Sequence, residues 1–159
     1  MLEVPEKRAR KPLCIAVLMT CFNRREQTVR CLEQVFSQVQ DGAFTLYVTL
    51  VDDASQDGTG DAVESAFPAV NVVRSSGNLY WNQGMRLAFA HANQRECDAY
   101  LWLNDDTILY PHAISGLITT MQKLQSLGVT AIVTGSTRDS VNGPEATADF
   151  AGAGSCRSV

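Results

Sequence analysis

The runs 13–20 ("LCIAVLMT") and 46–51 ("LYVTLV") carry almost no polar position, and that limits the fold more than any other feature of the chain. A strand with one wet face alternates, whereas a strand apolar throughout is buried on both sides, the habit of a parallel sheet covered by helices. The segments between such runs change period. Val29, Leu32, Val35, Phe36 and Val39 fall on one face of a helix, as do Met85, Ala88, Phe89 and Ala92, and then Ile114, Leu117, Ile118, Met121 and Leu124. A shorter helix is predicted from about Gly58 to Ala66, stopped by Pro68, and Pro111 suits the first turn of the last helix. With "VNVVR", "AYLWLN" and "VTAIVTG" as further strands, five strands alternate with four helices. The expectation is an α/β domain with a mostly parallel sheet and helices on both faces.

The 159 residues suffice for one such domain and hardly for two. A net charge of −4 argues against a nucleic-acid binder working through bulk electrostatics, and leaves any phosphate-bearing ligand in need of local cations or a metal. No stretch nears the ~20 apolar residues of a membrane span. Lys7, Arg8, Arg10 and Lys11 read as a flexible basic leader (1–12); no small-x-small cleavage site follows them. Five cysteines, Cys14, Cys21, Cys31, Cys97 and Cys156, show no CxxC and no paired spacing, which reads as reduced thiols in a cytoplasmic protein. After the predicted domain (13–135) the composition turns small and polar over 136–159, as a loop or the start of a further half.

Open parallel sheets bind ligands at the carboxyl ends of their strands. The polar clusters collect there: "TCFNRR" after the first strand, "DDASQDGT" after the second, "SSGNLYWNQG" after the third and "NDDT" after the fourth. Four such ends suggest one crevice. Thr20 and Asn23 serve equally as caps of the first helix or as ligand contacts, and Asp57 or Thr59 as turn and cap residues. Asp52 and Asp53, at a buried strand end, call for a hydrogen-bonding partner or a cation. Asn78, Asn82 and Gln83 offer amides, and Tyr80 and Trp81 offer flat apolar surface. Asp105 and Asp106 carry the sharpest chemistry, because a hard divalent cation takes one or two carboxylates together with substrate phosphates and water. His91 and His112 read as surface or helix-end residues.

In this order, "VLMTCFNRREQTVRCLEQV", "LVDDASQDGT", "GNLYWNQGMRLAFAHA" and "YLWLNDDTILYP" resemble the family 2 glycosyltransferases over about Leu13 to Thr134. The resemblance implies the GT-A (Rossmann-like) fold, here cut short on its C-terminal side. It implies transfer of a sugar from a UDP- or dTDP-linked donor to the hydroxyl of a glycan or lipid-linked acceptor, with inversion and a Mg²⁺ or Mn²⁺ ion. Thr20, Cys21, Asn23 and Arg24 would line the nucleotide pocket, and Asp53 with Asp52 would meet the nucleobase side. Asn78, Trp81 and Gly84 would pass near nucleotide and sugar. Asn104 and Asp105 would reach ribose or sugar, and Asp106, with Asp105, would hold the metal. The "GNLYW" form is similar to bacterial members that make rhamnosyl or related polysaccharide linkages.

Inversion also needs a carboxylate base, and the family carries it well beyond the acidic pair. Asp139, Glu145 and Asp149 are the acidic residues of the tail, and none has the expected context. The base is therefore expected outside this chain, which reads as a donor-binding half, at most a peripheral visitor to the cytoplasmic membrane face. Two other classes fit less well. A non-catalytic nucleotide-sugar binding module keeps the fold and loses the chemistry. A receiver-type signalling domain needs a lysine on a late strand, and none follows Lys123.

Overall fold

A computed structural model describes residues 11–39 and 43–136; the leader to residue 10 and Asp139, Glu145 and Asp149 lie outside the described residues. The chain divides after Leu109 into two compact units. The first contains β1 (Leu13–Cys21), α1 (Arg25–Ser37), β2 (Phe44–Asp52), α2 (Thr59–Ala66), β3 (Asn71–Arg74), α3 (Tyr80–Ala92) and β4 (Ala99–Trp102). All described pairings are parallel, in the order β3-β2-β1-β4. β1 and β2 run in register for their whole length, from Leu13 opposite Phe44 to Cys21 opposite Asp52. The chain moves outward through β2 and β3 and then returns to the other flank of β1 as β4. That reversal places a crevice at the carboxyl ends of β1 and β4.

The two uninterrupted apolar runs are buried on both faces. Ala16, Leu18 and Val51 pack with Met85, Ala88 and Ala92 of α3. Ile15, Val17 and Met19 point the other way along β1 and are equally buried, on the side closed by the apolar faces of α1 (Leu32, Val35) and α2 (Val63). Each fully buried leucine contributes roughly 1.5–3 kcal/mol relative to exposure, and Leu18→Ala would cost about 2–5 kcal/mol with its cavity.

Three expectations need correction. "VTAIVTG" (129–135) is not a strand: residues 129–136 are irregular and Ile132 is 94% exposed. A β-branched run becomes a strand only by pairing, which local pattern does not supply. Pro111 lies ahead of the last helix, not in its first turn. In the second unit α4 (Ala113–Ser126) starts after His112, whose left-handed conformation (φ 65°) turns the chain into the helix. Finally, Cys14 is joined to Cys97 as a disulfide, their Cα atoms 4.7 Å apart, because pairing of Ile15 with Ala99 brings the two chain segments together. Cys21 and Cys31 are free and buried, as expected of reduced thiols.

Candidate functional site

The strand-end loops are tied to one another by side chains that the sequence had marked. Asn23 N–H donates to Ser55 Oγ (3.0 Å), and Gln56 N–H donates to Asn23 Oδ1 (2.7 Å). Asp57 Oδ2 accepts from Arg25 N–H (3.0 Å) and its Oδ1 from Thr59 N–H (3.0 Å) and the Thr59 hydroxyl. One carboxylate thus caps the starts of α1 and α2, and the Thr59 hydroxyl in particular holds it below the usual carboxylate range. Asn23 and Asp57 serve the scaffold.

Asp52 and Asp53 divide their work. Asp52 is buried under α2, where its Oδ1 accepts from Ser55 N–H (2.9 Å); a side chain at Gly60 would strike its Oδ2. Asp53 reaches the next loop. Its Oδ1 accepts from the Ser75 hydroxyl (2.6 Å) and Leu79 N–H (3.2 Å), its Oδ2 from Leu79 N–H (3.0 Å) and Tyr80 N–H (3.1 Å). Those bonds fix the entry of α3, where Tyr80 has φ 52° and Asn78 φ 66°. Asn23 (φ 52°) and Ala54 (φ 63°) share the left-handed region, so among the described residues four of the five non-glycine residues found there border the strand ends. Such conformations cost of order 1 kcal/mol each and persist where the surroundings hold them.

A cleft of about 400 Å³ opens among these loops, lined by Thr20, Cys21, Phe22, Arg24, Asp53, Tyr80, Trp81, Asn104, Asp105 and Asp106. Eight of these are residues the sequence singled out as binding or metal ligands. Asn23, Asp52, Asn78 and Gly84 are not in the lining. Gly84 passes directly under Thr20, where an added Cβ would overlap the threonine side chain, so its smallness lets α3 approach β1. Phe22 and Tyr80 also line the cleft, exposed at 55% and 78%; nothing in the sequence marks Phe22, and Tyr80 reads there only as flat apolar surface. A larger hollow of about 560 Å³ between α1 and α2 is lined by Arg25, Glu26, Val29, Gly58, Asp61, Ala62, Ser65 and Ala66, and offers no comparable set of convergent groups.

At the floor of the cleft, Leu103 N–H donates to Leu18 O (3.0 Å) and so extends the β4 pairing to the edge of "NDD". Asn104 Oδ1 accepts from Trp81 Nε1 (2.9 Å), and Trp81 meets Trp102 edge-on at 6.0 Å between centroids. Asp105 is buried and Asp106 half-exposed. Thr28 Oγ1 donates to Asp105 Oδ2 (3.4 Å), while Arg24 Nη1 lies 3.4 Å from Asp105 Oδ1 and 2.6 Å from Asp106 Oδ2. Burial raises the Asp105 carboxyl and the Arg24 charge opposes that rise. The same acidic surroundings, added to burial, push the Cys31 thiol up to about 12 and raise Cys21 further, so neither is a nucleophile at neutral pH. One guanidinium nitrogen lies within ion-pair distance of both carboxylates. That donor set fits a hard divalent ion completed by substrate oxygens; no group of three acidic, His or Cys ligands exists among the described residues.

A parallel sheet in this order, helices on both faces and a polar crevice at the reversal make up the GT-A arrangement. S. aureus TarS 1-349 in complex with UDP-GlcNAc matches with a TM-score of 0.61 at 17% identity, over 71% of this chain and 32% of that one. The mannosyltransferase PcManGT from Pyrobaculum calidifontis, in complex with GDP-Man and Mn²⁺, matches with a TM-score of 0.58 at 18% identity, over 67% of this chain and 32% of that one. This chain therefore spans about a third of the length of these structures. No curated protein matches it by sequence. The profile of glycosyl transferase family 2 matches residues 16–151, and the chain belongs to that family.

Proposed function

We propose that this chain is the donor-binding portion of a glycosyltransferase that moves a sugar from a UDP- or dTDP-linked donor to an acceptor hydroxyl, with inversion and a Mg²⁺ or Mn²⁺ ion. The observation that carries the reading is one guanidinium nitrogen within ion-pair distance of both Asp105 and Asp106 at the floor of a cleft framed by strand-end loops. Asp106, half-exposed, is the principal metal ligand and Asp105 supports it. The ion supplies neutralisation of charge developing on the departing diphosphate.

The chain's own residues bind and orient. Thr20, Cys21 and Arg24 form the nucleotide side. Asp53 shapes the base side through the Leu79–Tyr80 turn that it holds, and Asn78 offers an amide beside it. Trp81 and Asn104, locked by their hydrogen bond, bound the sugar side. The carboxylate base that deprotonates the acceptor lies outside the described residues. The acceptor is a glycan or lipid-linked acceptor of polysaccharide synthesis. No helix among the described residues is long and apolar enough to cross a membrane; a cytoplasmic site of action, at the membrane face at most, belongs to the same proposal.

Calorimetric titration with UDP and dTDP, with and without Mn²⁺, tests this. Binding that requires the metal and disappears in Asp106→Ala is expected. Binding indifferent to both metal and mutation would overturn the donor-site reading. Metal-dependent donor hydrolysis or transfer, absent from Asp106→Ala, would separate an enzyme from a binding module.

A further inference from the structure

Arg24 stands where the metal ion is proposed to stand. It is the residue before α1, and no side-chain cap engages it there. Its side chain is 49% exposed, on a flexible stem, and its Nη1 reaches Asp106 Oδ2 at 2.6 Å and Asp105 Oδ1 at 3.4 Å. A guanidinium and a divalent cation cannot both occupy a point between two carboxylates. Something must move when the ion arrives, and Arg24 is the half-exposed partner, held to the pair through the one nitrogen Nη1. Asp105, buried and bonded to Thr28, is not.

We propose that Arg24 is a displaceable counter-ion: it neutralises the acidic pair while the cleft is empty, gives way to the metal, and then pairs with the incoming diphosphate. This rests on the metal site proposed above. Charge balance favours the exchange. Two carboxylates and one guanidinium leave one net negative charge, and adding a divalent ion and a doubly charged sugar-nucleotide diphosphate leaves that total unchanged. Arg24 thereby opposes metal binding on its own and favours metal together with nucleotide. The two ligands become coupled by one side chain that each displaces or recruits.

The coupling gives opposite signs for two affinities, which a purely structural role does not. Free Mn²⁺ is followed by its electron paramagnetic resonance signal, and UDP by calorimetry at saturating Mn²⁺. In Arg24→Gln, Mn²⁺ alone is expected to bind about fivefold tighter, the value of a favourable exposed ion pair, while UDP binds at least about fivefold weaker. Arg24→Lys keeps the charge and falls between. Thermal denaturation checks that each variant retains the wild-type transition. Mn²⁺ binding by wild type that Asp106→Ala abolishes, with Arg24→Gln unchanged or weaker, would sink the counter-ion role and leave the metal site standing. Mn²⁺ binding that is absent from wild type and Arg24→Gln alike, or unaffected by Asp106→Ala, would overturn the metal reading and this inference with it.

Discussion

Replacing Asp53 by asparagine changes almost nothing in shape and much in bonding. Its buried carboxylate accepts from three donors, the Ser75 hydroxyl and the backbone N–H groups of Leu79 and Tyr80, so both oxygens have their acceptor capacity in use. The amide keeps one oxygen, enough for part of that set, and turns an NH₂ group toward N–H donors. Hydrogen bonds to a charged group are worth roughly 1.5–3 kcal/mol each, and the half-exposed loop lets water recover some of the loss. Asp53→Asn is therefore expected to lose about 2–4 kcal/mol, taken as the loss of two such bonds less the water compensation. For a domain of this size that lowers Tm by roughly 5–15 °C. Tyr80, released from its left-handed conformation, should let the first turn of α3 fray. Urea and thermal denaturation give the stability, and calorimetry gives UDP affinity on the same samples. A Tm within about 2 °C of wild type, combined with lost UDP binding, would refute the reasoning: the carboxylate would then be serving the nucleobase directly, and the loop would hold without it.

Other substitutions probe the packing and the caps. The hydroxyl of Thr49 is buried with no hydrogen-bond partner among the described residues, so Thr49→Val should raise stability by about 1 kcal/mol, read from the urea midpoint. Gly84→Ala drives a methyl into Thr20 and should cost about 1–3 kcal/mol, with partial recovery when Thr20→Ala is added. Asp57 titrates below the usual carboxylate range in the folded chain. Its contribution is thus complete above about pH 4, the unfolded value, and is lost as pH falls through the depressed folded value. The stability gap between wild type and Asp57→Ala, about 1 kcal/mol at neutral pH, should close in acid; a gap that widened there would contradict the cap.

The strands β1 and β2 and the faces of α1, α3 and α4 were legible because burial on both sides, or on one stripe, imprints itself on residue order. The grouping of four strand ends into a crevice was legible too, since it follows from parallel topology alone. What local pattern could not show was partnership. Residues 129–135 have the composition of a strand and lack its pairing. Cys14 and Cys97, 83 positions apart, become neighbours only through the β1–β4 register. Asp53, an acidic residue at a buried strand end, called for a hydrogen-bonding partner or a cation; which donors it meets, the Ser75 hydroxyl and the backbone N–H groups of Leu79 and Tyr80, depends on how the loops close and not on local pattern. The contact of Arg24 with both aspartates was hidden for the same reason, although each of the three had been marked.

The register of the sheet also sets an order of assembly. β1 meets β2 across one helix, and β3 joins β2 after one more, so each step closes a short loop. β4 must return past both to reach β1, a closure of about 80 residues whose entropy is met only when its few pairs and the aromatic contacts of Trp102 and Tyr100 form together. Asp105 and Asp106 sit in the turn that follows β4 and take their place only when it pairs. A nascent or partly unfolded chain can therefore hold its β1–β2–β3 core and possess no acidic floor, so that affinity for a divalent ion should emerge only after most of the secondary structure is in place.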